Sequence, residues 1–111
     1  MISKKIDIKM IRGDTLAFSV FITGIEEDLD AAYFSVGQPA PNEEIIIFQK
    51  TLGSGITKVS DGEYTVRVAP EDTKQLAPKA YRYDLELRID DDIFTPIYGD
   101  LHIERGVTQH E

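Results

Sequence analysis

From Tyr81 to Ile89 apolar and charged residues alternate without a break. Tyr81, Tyr83, Leu85, Leu87 and Ile89 take one parity, and Arg82, Asp84, Glu86 and Arg88 the other. Successive side chains on a strand point to opposite faces, so this run buries its apolar side as a strand with one face in a core and one in water. A helix would scatter the same residues around its circumference. The period of two recurs in Ile6, Ile8 and Met10, in Leu16, Phe18, Val20 and Ile22, and in Phe34 and Val36. It returns in Tyr64, Val66 and Val68, and in Ile93, Thr95, Ile97, Gly99, Leu101 and Ile103. Gly13, Gly24, Pro39-Ala40-Pro41-Asn42, Gly53-Ser54-Gly55, Asp61-Gly62 and Asp90-Asp91-Asp92 separate the runs, and such residues mark turns. Asp61-Gly62 predicts a type I′ hairpin turn, with positive φ at both central residues. About seven or eight antiparallel strands at this turn spacing predict an all-β, immunoglobulin-like β-sandwich, with a small β-barrel as the alternative.

Two stretches depart from alternation. Pro70 to Leu76 reads as one or two helical turns, because proline suits a first helical position and Glu71 and Asp72 suit a first turn. A helical turn ahead of an aromatic strand precedes strand F of immunoglobulin-like sandwiches, where a tyrosine hydroxyl bonds back to the loop backbone. Tyr81 is the candidate for that bond. Tyr81 and Tyr83 share the parity of Leu85 and Leu87, so both are expected in the core. Ile45-Ile46-Ile47-Phe48 is apolar on both parities. It is expected to be a strand covered on both sides, one cover coming from a subunit partner. Leu29 is expected to plug the end of the sandwich.

The 111 residues fit one domain, 1–111, with 105–111 as an exit tail. There is no cysteine, which excludes disulfides and thiolate metal sites. Met1-Ile2-Ser3-Lys4-Lys5 leads into alternation and not into an apolar core, so no signal peptide is expected. No apolar run approaches the roughly 20 residues of a membrane-spanning helix. A net charge of -8 argues against nucleic acid and anionic lipid as partners and leaves protein partners open.

Few residues suggest chemistry. Arg12-Gly13-Asp14 matches the integrin-binding tripeptide, but a turn accounts for it better. Gly13 permits positive φ, Asp14 can bond its own backbone, and Arg12 can reach a carboxylate across the sheet. Asp90-Asp91-Asp92 lacks the shaped loop of a calcium site and reads as a solvated hairpin tip. His102 and His110 have no spaced partner in sequence, so no metal site is expected. No G-x-S-x-G and no phosphate-cradling glycine motif occurs. A paired-carboxylate hydrolase would need a concave pocket holding a carboxyl of raised proton affinity, and ranks last. Tyr98 takes the parity opposite to Ile97 and Leu101 and is the candidate exposed contact. The candidate interface is therefore Ile45, Ile46, Ile47, Phe48 and Tyr98, and the structural turns are Arg12, Gly13, Asp14, Asp61 and Gly62.

The order of short motifs suggests a family. Arg12-Gly13-Asp14-Thr15 precedes an alternating strand, and Gly62-Glu63-Tyr64-Thr65-Val66 follows a turn. Glu71-Asp72-Thr73 leads to Leu76, then come Tyr81-Arg82-Tyr83-Asp84-Leu85 and a closing strand before Val107-Thr108. This resembles the small β-sandwich proteins encoded among the structural genes of tailed bacteriophages and prophages. Some of these are similar to the N-terminal domain of baseplate upper proteins, which attach tail-tip components. The chain departs from that pattern at Ala77-Pro78-Lys79-Ala80, where such proteins often carry glycine. The resemblance implies a non-enzymatic virion protein of the tail or baseplate, made in the host cytoplasm. It implies no catalytic residues and no cofactor, with partners that are further copies of itself and other virion proteins. The alternative is a module binding a host-surface glycan or protein through Tyr98 and the acidic loops.

Overall fold

The computed structural model describes residues 2–25, 27–39 and 44–108. Their elements are β1 (Lys4–Lys5), β2 (Ile8–Ile11), β3 (Leu16–Phe21), β4 (Ala31–Pro39) and β5 (Glu44–Leu52). There follow β6 (Gly55–Ser60), β7 (Glu63–Val68), α1 (Pro70–Thr73), β8 (Lys79–Ile89) and β9 (Asp92–Glu104). The ladders run in the order β1-β9-β8-β4-β5-β6-β7-β3, with β2 also on β9. β5 and β6 pair only where Thr51 and Leu52 meet Gly55 and Ile56. At that corner the chain changes layer. One layer is β5-β4-β8-β9 with β1 and β2, and the other is β6-β7-β3. The layers meet face to face: Phe18 of β3 packs edge-on against Phe34 of β4, ring centroids 5.7 Å apart. This is an all-β, immunoglobulin-like sandwich with one short helix.

The core follows the alternation. Phe34, Val36, Val66, Val68, Leu85, Leu87 and Leu101 are fully enclosed, and each such side chain contributes about 1.5–3 kcal/mol. Leu29 is buried at the end of the sandwich and Tyr81 and Tyr83 lie in the core. The Tyr81 hydroxyl donates to the Ala77 carbonyl at 2.7 Å. That bond closes the loop containing Ala77-Pro78 without the glycine expected there. The Tyr83 hydroxyl donates to the carbonyl of Ile6.

Several expectations need correction. The strands are not all antiparallel: β1 and β2 run parallel to β9, and the β5–β6 corner is parallel. The first strand is broken at Ile6 and Asp7, where the chain crosses Gly99. A Cβ on Gly99 would lie 2.5 Å from the Ile6 carbonyl oxygen, so only glycine permits the crossing. In β9 Ile97, Leu101 and Ile103 face the core, but Ile93 points out and is 60% exposed. A bulge opposite Glu86 shifts the parity, with Leu85 facing Ile97 and Leu87 facing Phe94. Pro96 sits in this bulge, where a missing N–H costs no ladder bond. Asp61-Gly62 does turn the β6–β7 hairpin, but not as type I′. Gly62 has φ 78, and Asp90 is the only described non-glycine residue with positive φ. A register shift between Lys58 and Ser60 takes up the difference.

Ile45 to Phe48 is not covered on both sides within the chain. Val36 faces Phe48 and Gly37 faces Ile46, so Ile47 is the extra residue of a bulge. Ile47 and Phe48 thereby turn toward the core, while Ile45 and Ile46 are 52% and 58% exposed. After β9, Arg105 and Gly106 lie near Arg12 and Gly13, Val107 is fully exposed, and 109–111 lie outside the described residues.

Candidate functional site

The alternation that buries Tyr81, Tyr83, Leu85 and Leu87 forces Arg82, Asp84, Glu86 and Arg88 onto the outer face of the larger layer. Tyr33 and Ser35 of β4, Thr95 and Tyr98 of β9 and Ile46 and Gln49 of β5 stand on the same face. Sheet twist curls these strands into a groove of about 560 Å³. Ile46 and Tyr98, both predicted interface residues, are brought together in its lining. Ile45 lies on the other side of its strand, and Ile47 and Phe48 point inward.

Opposite charges pair within the groove, once between β8 and β5 and once along β8. Arg82 bridges to Glu44 at 3.1 Å and Arg88 to Glu86 at 2.8 Å. The Arg88 guanidinium also lies 5.1 Å from the centroid of the Tyr33 ring. Gln49 donates to the Ser35 hydroxyl at 2.8 Å. Asp84 is left out of these pairs. Burial against the sheet pushes its carboxyl above the ordinary aspartate value, Glu86 and Glu44 push it further, and Arg82 opposes them.

The groove adjoins an open sheet edge. β5 is bonded to β4 along its length, whereas its other side meets β6 only at Thr51 and Leu52. From Glu44 to Lys50 that edge has no ladder partner among the described residues. A lysine often guards such an edge, but Lys50 is drawn to Asp72 of α1 at 2.6 Å. The edge thus offers unpaired backbone groups flanked by Ile45 and Ile46.

The Arg12-Gly13-Asp14 turn serves the fold. Gly13 has φ 83 and is buried, and its N–H donates to the Thr73 hydroxyl at 2.9 Å. Among the described residues Arg12 does not reach a carboxylate. Its Nη1 donates to the Leu76 carbonyl at 3.3 Å, because the turn lies against the end of α1. The Asp14 N–H closes the turn on the Ile11 carbonyl at 3.1 Å.

One cluster escaped the sequence reading. Asp7, Asp100 and His102 each bring a potential ligand atom within 4.8 Å of the others. Asp100 and His102 share a parity, which is visible in the sequence. Asp7 joins them only through the parallel register of β2 on β9, which sequence spacing does not reveal.

No family model matches the chain, and no curated protein matches its sequence. Among solved structures it is similar to the extracellular domain of the voltage-gated sodium channel β4 subunit, described as forming parallel homodimers that explain a role in cell–cell adhesion. The TM-score is 0.43 at 11% identity, over 96% of this chain and 97% of that one. The fold assignment rests on strand order and register, and the site on the side chains above.

Proposed function

We propose that this chain is a non-enzymatic assembly module that pairs with a second copy of itself along the β5 edge. The observation that carries this reading is that edge: from Glu44 to Lys50 it has no ladder partner among the described residues, its one lysine is drawn to Asp72, and two isoleucines are exposed. A strand edge of this kind is a template for another strand. Antiparallel pairing of β5 with its mate is isologous and closes on a dimer. It extends the larger layer across the two-fold axis and brings the two grooves alongside each other, leaving Tyr98 and Asp84 open to further protein partners. The virion tail or baseplate as the setting is supported by the sequence resemblance alone.

A hydrolase reading has one feature in its favour, since Asp84 is a carboxyl of raised proton affinity in a concave face. The acids beside it are not free to act as its partner, because Glu86 is held by Arg88 and Glu44 by Arg82. The host-surface binding reading draws on Tyr33 and Tyr98 in a polar groove, an arrangement that can stack on a sugar. It predicts a monomer that binds glycan.

Light scattering after size-exclusion chromatography, over a range of concentrations, tests the assembly reading. The parent chain is expected to give a dimer mass, and Ile45→Lys with Ile46→Lys a folded monomer. Both isoleucines are exposed, so the fold should tolerate the changes, whereas charging Phe48 would strike the core. A parent chain that stays monomeric at every concentration would defeat the proposal.

A further inference from the structure

We propose that Asp7, Asp100 and His102 form a binding site for one divalent first-row metal ion, with Zn2+ the best fit to the donor set. Asp100 and His102 are two residues apart on β9, so both side chains stand on the outer face. β2 runs parallel to β9 with Ile8 opposite Leu101 and Lys9 opposite His102. That register carries Asp7 up beside Asp100. One ligand atom from each residue lies within 4.8 Å of the other two, and small rotamer adjustments bring such atoms to the roughly 2.0–2.2 Å that a zinc ion requires.

The charge distribution points the same way independently. Two carboxylates share this corner of a chain whose net charge is -8. Neither is ion-paired among the described residues. The cations facing this corner are drawn elsewhere: Lys9, opposite His102, lies 3.6 Å from Glu104, and Arg82, opposite Asp100 on β8, bridges to Glu44 at 3.1 Å. A bound cation would supply the missing counter-charge.

The site is also held in shape. An Asp7 carboxylate oxygen accepts the Asp100 N–H at 3.0 Å. Gly99, lacking a side chain, lets Ile6 and Asp7 cross close to β9. The imidazole of His102 has no hydrogen bond among the described residues, and the residue facing it on β8 is the small Ala80. The ring is therefore free to turn toward an ion. One imidazole with two carboxylates favours zinc-class ions over Ca2+ and Mg2+, which prefer all-oxygen shells. Three protein ligands leave a fourth position for water or an outside group. The bound ion would fasten the segment before β2 to the last strand.

Titration of the chelator-treated full chain with Zn2+ by calorimetry tests this, with Co2+ absorption reporting the ligand geometry. The expected result is one ion per chain and a melting temperature that rises with Zn2+. His102→Ala should weaken binding at least about tenfold, as loss of even a supporting group at a metal site does, and abolish the thermal shift. His110→Ala should change neither. The proposal is overturned if no Zn2+ binds, if His102→Ala binds as tightly as the parent, or if binding is lost in His110→Ala. Circular dichroism would confirm the fold of His102→Ala. Should that variant fail to fold, Asp100→Asn carries the same comparison.

Discussion

At the scale of single residues, two side chains show what the chain spends on its shape. The Tyr81 hydroxyl ties the start of β8 to Ala77 at 2.7 Å, in a loop where no glycine eases the turn. Tyr81→Phe keeps the ring and removes only this bond. It should cost about 1 kcal/mol, read as a fall in Tm of about 4–8 °C. An unchanged Tm would mean that the loop is held by packing alone. Asp84 works in the opposite sense. Its pKa in the folded chain lies above the ordinary 3.8, so the folded state holds the proton more tightly than the unfolded state. The stabilisation linked to that proton is fully present below 3.8 and is lost as pH rises through the raised value. Asp84→Asn should therefore be more stable than the parent at neutral pH. The gain should be under about 1 kcal/mol, because solvent reaches the groove and screens the charges. Thermal melts should show the two converging as pH falls toward 3.8. A variant less stable than its parent at neutral pH would contradict this sign.

At the scale of elements, alternation made β3, β7, β8 and the end of β9 legible, because one face of each is buried and the other wet. The short helix was legible from Pro70 and the acids after it. What escaped were features set by neighbouring strands. The bulge at Thr95 and Pro96 reverses the parity expected of Ile93 and turns it outward, and Pro96 was the available clue. The bulge at Ile47 turns two of four apolar residues inward and leaves Ile45 and Ile46 outside. The run could be read as apolar on both parities, but not how many of its side chains the chain itself would cover. Parallel pairing of β2 with β9 was also hidden, and with it the company that Asp7 keeps with Asp100 and His102. In the candidate site, Tyr98 was found from its parity alone. Tyr33 and Ser35 follow the same logic on β4, but become part of a site only once β4 lies beside β8.

At the scale of the whole molecule, the β5-β4-β8-β9 layer carries most of what could make contacts. Its outer face is curved, its charges are largely paired, and its β5 edge is open. At the opposite end of the larger layer the edge is formed by β1 and β2 on β9, only two and four residues long, so β5 offers the longer open edge of that sheet. β3 is also an edge strand, with Ala17, Ser19 and the exposed Phe21 on its outward parity, but at six residues it is shorter than the nine of β5. Pairing through β5 would make one continuous sheet across two chains.

The most direct measurement is hydrogen exchange of the β5 amides, Glu44 to Lys50, followed as protein concentration is raised. Edge pairing predicts that amides open in the monomer become protected as dimer forms, while those already bonded to β4 change little. β3 amides on its open edge should not change and serve as the internal control. Exchange along β5 that is independent of concentration, in a sample that light scattering finds dimeric, would place the contact elsewhere and contradict the account.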